Sequence, residues 1–375
     1  MDLVEHKRRK QNRDMALFLI VPTAIVAKLI MHLFLPDKYF FDSWRMLDML
    51  NNGNKAKSAW SGYKQTVNIH NSFNIFKFST LMEFSIFYGI IMTIIVIIIV
   101  SRVKEMDRMQ VLYTLMATGI LNIYVFTINK EMIQILYFLV IYIVITLPIK
   151  NNIIKLIGSA GVFYYESISF RSYYIIMAAL TVGLYCIFSW LRKRTIKKIH
   201  IVITIIACFA MVFVFFSASQ YISPRDYNKA LDTRDGTTKT IDNNGSGGAT
   251  TAIRNPITVN GKLGVFMFDY VVNTVRMLVP VELVIKSPSY FPFFIYQILI
   301  LIYIFKTLKN ISKIDKKIVV ALSCFIAYVL GSAVFEPDFG SWARHESTTF
   351  PVMQLIAYNS DNTESEEEYY ETAII

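Results

Sequence analysis

One short segment near the carboxyl end of the chain combines side chains suited to acid–base chemistry and to holding an anion. Residues 336–346 contain Arg344, His345 and three carboxylates, Glu336, Asp338 and Glu346. A histidine titrates near neutral pH and can accept a proton from a hydroxyl group. An arginine stays charged and binds phosphate oxygens through its planar fork. The segment therefore indicates proton transfer beside a bound anion, with a purely structural role as the alternative.

Three further groups of charged residues lie at the ends of apolar runs. Lys130 and Glu131 follow Asn129 in a short turn, Arg171 lies in a tyrosine-rich turn, and Arg276 lies in a polar segment. Each has a structural alternative, because a Lys-Glu pair can mark the water boundary and Arg beside Tyr can anchor a helix in the headgroup layer. The functional interpretation is that these residues add cations and a base to the same site.

Common catalytic templates are absent from the sequence. There is no His-Glu-x-x-His zinc helix, no phosphate-binding Gly-x-x-x-x-Gly-Lys-Ser/Thr loop and no Gly-x-Ser-x-Gly elbow. With five histidines scattered over 375 residues, a multi-histidine metal site is not expected. We therefore predict no metal and no cofactor, while metal binding by Asp and Glu alone stays open.

The composition indicates that membrane helices must position these residues. Hydrophobic residues make up 54% of the chain and charged residues 17%, against roughly 25% charged in a typical soluble domain. A spanning helix needs about 20 mainly apolar residues, and several runs meet or approach that length. The three cysteines lie inside such runs and form no disulfide pattern. These observations exclude a soluble globular enzyme, a disordered chain and a disulfide scaffold.

We predict an all-α polytopic membrane protein with about ten transmembrane helices plus one re-entrant or interfacial helix. The first run is expected to be a retained helix rather than a cleaved signal peptide, because it is long and lacks a small-residue cleavage site. The ten predicted spans are 15–35, 81–100, 111–128, 132–149, 153–169, 173–191, 200–219, 289–306, 317–335 and, more weakly, 348–358.

The positive charges orient these spans. Twenty of the 38 lysine and arginine residues fall in segments that alternate along the chain, and such segments remain in the cytoplasm. The N-terminus is therefore predicted to be cytoplasmic. The alternation holds only if the polar segment 264–286 does not cross, so we interpret it as re-entrant. Most of the net charge of +11 then serves to orient the spans in the membrane. No nucleic-acid partner is therefore expected.

The remaining segments are predicted loops of a single integral membrane domain, 1–375. Residues 36–80 and 220–263 are predicted to form long outer loops. The second contains a Gly/Ser/Thr/Asn-rich insert, a composition that predicts a flexible segment. The acidic run near the end is expected to be a solvated cytoplasmic tail, 359–375. All the charged candidate residues then face the outer compartment.

Three short motifs carry a resemblance to a known family. They are Asn-Lys-Glu at 129–131, Phe-Arg-Ser-Tyr-Tyr at 170–174, and Gly-Ser-Trp-Ala-Arg-His at 340–345 followed by Phe-Pro at 350–351. Together with the span layout over most of the chain, they resemble bacterial Wzy/EpsG-type polysaccharide polymerases of the O-antigen, capsule and exopolysaccharide pathways. The resemblance is compatible with a GT-C-like architecture. The 220–263 insertion does not align with it.

The resemblance implies glycosyl transfer on the outer face of the bacterial cytoplasmic membrane. Undecaprenyl-diphosphate-linked oligosaccharide would be donor and acceptor, in a lipid bilayer, with a chain-length regulator and a flippase as candidate partners. Fixed cations stabilise the charge of a diphosphate leaving group, which favours Arg171 and Arg344, then Arg276 and Lys130. The residues that can act as the base on the acceptor hydroxyl are His345, Glu131, Glu336 and Asp338.

Two other function classes remain open. A flippase or transporter for lipid-linked oligosaccharide would place charged and broken segments near the membrane midplane, often in repeated halves, whereas here the charges lie at the ends of the spans. A membrane acyltransferase acting on an extracellular glycan would use His345 as base. A polymerase should depend on several arginines, and an acyltransferase could tolerate the loss of one.

Overall fold

The computed structural model of the protein describes residues 3–57, 59, 61–194, 198–222, 251–257, 262–336 and 338–359, with short stretches between 224 and 238. Within these residues the chain is helical, apart from one isolated bridge between Ala252 and Asp338. The helices are α1 (Leu3–Leu29), α2 (Phe41–Asn52), α3 (Lys64–Phe73), α4 (Leu81–Ser101), α5 (Arg108–Ile120), α6 (Lys130–Thr146), α7 (Asn152–Ser169), α8 (Tyr174–Arg192), α9 (Lys198–Ile222), α10 (Leu263–Leu278), α11 (Val281–Lys286), α12 (Phe291–Lys309), α13 (Lys316–Phe335), α14 (Phe339–Ser347) and α15 (Phe350–Asn359).

The chain is a membrane-embedded helical protein. In its described part, six helical stretches are long and apolar enough to cross a bilayer, and each coincides with a predicted span. They are Leu3–Leu33, Leu81–Ser101, Tyr174–Arg192, Ile199–Tyr221, Pro288–Lys309 and Lys316–Phe335.

The other four predicted spans form helices that are shorter or more polar. Helix α5 has 13 residues and continues as a π turn, α6 has 17, and α15 has ten. Helix α7 reaches 18 residues but contains Lys155 and Glu166. Because a bilayer crossing needs about 20 apolar residues, the count of ten spans stays a prediction.

The contacts divide the chain into two compact units. Unit 1 comprises Met1–Phe138 and Arg344–Pro351, and unit 2 comprises Leu139–Ala343 and Val352–Ile375. Helix α6 begins in unit 1, and helix α14 begins in unit 2 and ends in unit 1.

In unit 1, α1 packs against α4 and α5 around a buried lysine. Nζ of Lys28 donates hydrogen bonds to the carbonyl oxygens of Asn122 and Phe126, at 2.7 and 2.8 Å. These carbonyls belong to the π turn after α5 and to the residue that caps it, where backbone oxygens lack regular helical partners. A Cβ atom at Gly89 on α4 would lie 2.6 Å from Lys28 Cε. Glycine at this position therefore makes room for a cation that satisfies the end of α5.

The predicted outer loop 36–80 contains α2 and α3, which also belong to unit 1. Some of their apolar side chains are buried, including Met46 and Leu47 on α2 and Val67 on α3. Helix α4 then starts with a capping box, in which Thr80 and Glu83 satisfy each other's backbone N–H groups. Much of this segment is therefore regular structure rather than an extended loop.

Unit 2 is built on the packing of α7, α8 and α13. Nearly all residues of α13 are buried. A Cβ atom at Gly331 would lie 2.8 Å from Cγ of Met177, so this glycine permits the close approach of α13 and α8. The rings of Tyr174 and Tyr328 stack across the same two helices with their centroids 6.4 Å apart.

The segment predicted as re-entrant, 264–286, is not one continuous helix. It forms α10 and α11, which are separated by Val279 and Pro280. Pro280 cannot continue the α10 hydrogen-bond pattern because it has no N–H group. The break agrees with the expectation that this segment is no simple span, and a re-entrant path stays a prediction.

Two sequence predictions fall mainly outside the described residues. The acidic tail predicted at 359–375 lies outside them except for Asn359. The flexible insert predicted within 220–263 lies outside them through residues 239–250.

Candidate functional site

Five charged or titratable side chains converge in unit 1, and we call them the charged cluster: Asp42, Lys130, Glu131, Arg344 and His345. They come from the first turn of α2, the first turn of α6 and the last turn of α14. Four of the five were predicted from the sequence. Asp42 was not among the residues predicted from the sequence.

The cluster alternates positive and negative groups at short range. Nζ of Lys130 lies 3.5 Å from Asp42 and 3.9 Å from Glu131. The guanidinium of Arg344 lies 3.9 Å from Asp42 and 4.0 Å from Glu131. These distances exceed the 2.7–2.9 Å of a charge-assisted hydrogen bond. Each cation is thus shared between two carboxylates rather than locked to one.

His345 is the closest partner of Glu131. Its Nε2 atom lies 3.2 Å from a carboxylate oxygen of Glu131, which is the shortest of the ion-pair distances in the charged cluster. The Glu131 side chain is 0% exposed, whereas His345 is 14% exposed. The imidazole is therefore partly accessible to solvent, and the carboxylate is not.

The positive side chains keep both carboxylates ionised. Burial by itself raises the pKa of the Glu131 carboxyl. The charges of Lys130 and Arg344 and the contact with His345 outweigh burial, so this pKa lies below its usual range. The pKa of Asp42 is also lowered: burial raises it, but Lys130, Arg344 and the Tyr63 hydroxyl have the larger combined effect.

Local hydrogen bonds fix the turn that carries Lys130 and Glu131. Oδ1 of Asn129 accepts from the N–H of Met132 at 2.7 Å, which caps α6. Nδ2 of Asn129 donates to the carbonyl oxygen of Tyr124 at 2.6 Å. The Asn-Lys-Glu motif therefore consists of one helix cap followed by two cluster residues.

The buried side chain of His70 contacts the backbone of the same turn. Nε2 of His70 contacts the carbonyl oxygen of Asn129 at 2.8 Å, and Nδ1 contacts the hydroxyl of Tyr88 at 2.9 Å. Because a carbonyl only accepts, Nε2 carries the proton and Nδ1 accepts from Tyr88. Burial lowers the pKa of His70 to about 4, so this neutral tautomer persists at physiological pH.

Asp42 and its partner Tyr63 complete the cluster. The Tyr63 hydroxyl donates to Oδ1 of Asp42 at 2.6 Å, which leaves Oδ2 facing Lys130 and Arg344. In the sequence, Asp42 is only an aspartate at the start of an amphipathic helix within a predicted outer loop. Nothing in its spacing links that aspartate to residues 130 or 344.

The other four predicted site residues lie in unit 2, and Asp338 acts there as a helix cap. Its Oδ1 accepts from the N–H of Ser341 at 2.9 Å, and its Oδ2 accepts from the Thr251 hydroxyl at 2.7 Å. A Cβ atom at Gly340 would lie 3.1 Å from this cap. Glu336 is buried at the end of α13.

The two arginines of unit 2 have different surroundings. Nη1 of Arg171 donates to the Tyr173 hydroxyl at 2.7 Å, and its guanidinium lies over the Phe170 and Tyr173 rings. Arg276 forms a bidentate pair with Glu282 at 2.8 Å and also donates to the carbonyl oxygen of Arg254. Arg276 therefore braces the break between α10 and α11, which favours a structural role for it.

No group of three or more His, Cys, Asp or Glu side chains with the geometry to hold a metal ion occurs among the described residues. The charged cluster can do three things chemically: accept a proton at an imidazole, hold an anion between two cations, and keep that imidazole oriented. No family model, no curated protein and no solved structure matches the chain.

Proposed function

We propose that the protein is a membrane glycosyltransferase that polymerises oligosaccharide repeat units carried on undecaprenyl diphosphate. The reaction takes place at the outer face of the bacterial cytoplasmic membrane, in a multi-pass protein of about ten spans with a cytoplasmic N-terminus. The observation that carries the proposal is the convergence of Lys130, Glu131, Arg344 and His345, which come from two of the motifs shared with the polymerase-like pattern.

Of the two candidate bases in the charged cluster, we assign the proton-accepting role to His345, whose Nε2 atom lies 3.2 Å from the buried Glu131 carboxylate. In the reaction the acceptor hydroxyl attacks the anomeric carbon and gives its proton to the imidazole. The bond between that carbon and the diphosphate oxygen breaks, and the lipid diphosphate leaves with the electron pair. Glu131 is buried and acts as a positioning residue.

Arg344 and Lys130 hold the leaving diphosphate. Arg344 and Lys130 lie 3.5–4.0 Å from the carboxylates of Asp42 and Glu131, which is longer than a charge-assisted hydrogen bond, and in our proposal they turn toward the phosphate oxygens. Positive charge beside a developing anion lowers the barrier to its departure. Arg171, in unit 2, stays a separate candidate from the sequence.

The test is the glycan chain-length ladder made by cells that carry single variants. Arg344→Ala and Arg171→Ala should remove long chains while single-repeat lipid-linked units accumulate. The matched control is Arg102→Ala, an exposed arginine of a predicted inner loop, which should leave the ladder unchanged at equal protein level. Normal ladders from both site variants would refute the proposal, and a normal ladder that lacks acyl groups would indicate the acyltransferase instead.

A further inference from the structure

Unit 2 contains a cavity of about 640 Å³ that lies at the ends of three helices. Its lining comes from the turn before α7, the last turn of α8 and the turn before α13. The volume falls within the range of roughly 300–1,000 Å³ that is usual for small-molecule sites. The cavity is made by side chains that play no part in the charged cluster.

The cavity lining is strongly basic. It includes Lys150, Arg192, Lys193 and Lys316, and none of its described lining residues is acidic. Asparagine, serine and tyrosine side chains lie between these cations and supply further hydrogen-bond donors. Four positive charges around one concave surface attract an anion.

Residues next to the cavity lining hold two of its segments together and add a further positive charge. Nη2 of Arg192 donates to the carbonyl oxygen of Ile314 at 2.9 Å, which ties the end of α8 to the turn before α13. The nearby Asp315 pairs with Lys317 at 3.1 Å and caps α13, so its charge is engaged outside the lining. Lys155 is buried on α7 and interacts with both of these residues.

Orientation in the membrane alone does not account for this arrangement. The positive-inside pattern requires lysines and arginines in the inner loops, but it does not require that they converge on one cavity. Here three separate turns bring their cations together with polar side chains between them. Basic pockets at the cytoplasmic ends of membrane helices bind phosphate-bearing headgroups.

We propose that this basic cavity binds a phosphate group, as carried by an anionic lipid headgroup or by a free phosphate. The ligand phosphate lies between Lys150, Lys316 and the α8 end, and any acyl chains extend along the adjacent apolar helices. The inference concerns unit 2 and does not depend on the glycosyltransferase proposal, because binding is measured without turnover.

The experiment uses the full-length protein in zwitterionic detergent micelles. Binding of phosphatidylglycerol, of phosphatidylcholine and of inorganic phosphate is measured by native mass spectrometry and by thermal stabilisation at constant ionic strength. Lys150→Gln/Lys316→Gln should weaken phosphatidylglycerol binding at least about tenfold, because it removes two of the four cations that line the cavity. The control Lys104→Gln/Lys309→Gln removes two exposed cations outside the cavity lining and should bind normally.

The outcomes separate the sources of the phosphate. Binding of phosphatidylglycerol without competition by inorganic phosphate identifies a lipid headgroup, and competition identifies a pocket open to free phosphate. Lys150→Arg/Lys316→Arg keeps the charge and should retain binding, which separates loss of a ligand from loss of the fold. Equal binding of both lipids together with no effect of phosphate overturns the proposal, as does an equal loss in the control variant.

Discussion

Nε2 of His345 lies 3.2 Å from a carboxylate oxygen of Glu131, and the Glu131 side chain is completely buried. This contact joins Glu131 and His345, which lie far apart in the sequence. The Glu131 carboxylate is buried whereas the imidazole is partly exposed, and for this reason our proposal takes His345 as the base.

The first prediction separates the base from its positioning partner. His345→Gln should lower the polymerisation rate by about 10²–10⁴-fold, which is the usual contribution of a general base. Glu131→Gln should cause a smaller loss, since the imidazole remains. The measurement is turnover of purified protein on lipid-linked repeats. A larger loss from Glu131→Gln at unchanged thermal stability would make Glu131 the base.

The second prediction concerns Asp42, which both cluster cations share. Asp42→Ala and Lys130→Ala should each destabilise unit 1, and the double variant should lose less than the sum, with a coupling energy of about 1 kcal/mol. Tyr63→Phe removes one hydrogen bond to Asp42 and should cost about 1 kcal/mol. Thermal unfolding in detergent measures all of these. Strict additivity would show that the Asp42–Lys130 pair carries no energy.

The third prediction is a pH dependence that arises from His70. Its pKa in the fold is about 4, against 6.5 for an ordinary histidine. As the pH falls below 6.5 the unfolded chain takes up a proton that the fold excludes, so stability declines toward pH 4. The decline attributable to His70 is roughly 3 kcal/mol. In His70→Gln the melting temperature should vary less over this pH range; an unchanged slope would contradict the assignment.

The fourth prediction tests the cap of α14. Asp338→Ala should cost about 1 kcal/mol, and Asp338→Ser should restore most of it because serine also caps helices. Gly340→Ala should be destabilising, since its Cβ atom would lie 3.1 Å from Asp338 Oδ1 and 3.2 Å from Thr251 Oγ1. The matched control is Gly161→Ala in α7, where a Cβ atom meets nothing within 4 Å and which should be neutral or stabilising.

Several of the site residues could be predicted because their chemistry is local. Arg344 and His345 are adjacent in the chain, and so are Lys130 and Glu131, so each pair is visible as a motif. Arg276 was a weaker candidate phosphate ligand in the sequence, ranked after Arg171 and Arg344. Its donors are instead directed at Glu282 and at backbone oxygen, and only the break between α10 and α11 brings those partners to it.

The sequence by itself determined that this is a helical membrane protein, because hydropathy acts over about 20 consecutive residues and needs no knowledge of the fold. It also selected four of the five side chains of the charged cluster. The tertiary structure alone decided that Asp42 joins them, that Asp338 caps α14 and that Arg276 pairs with Glu282. Those outcomes depend on which distant segments pack together, and that packing is set by the combined shape of many side chains rather than by any local pattern.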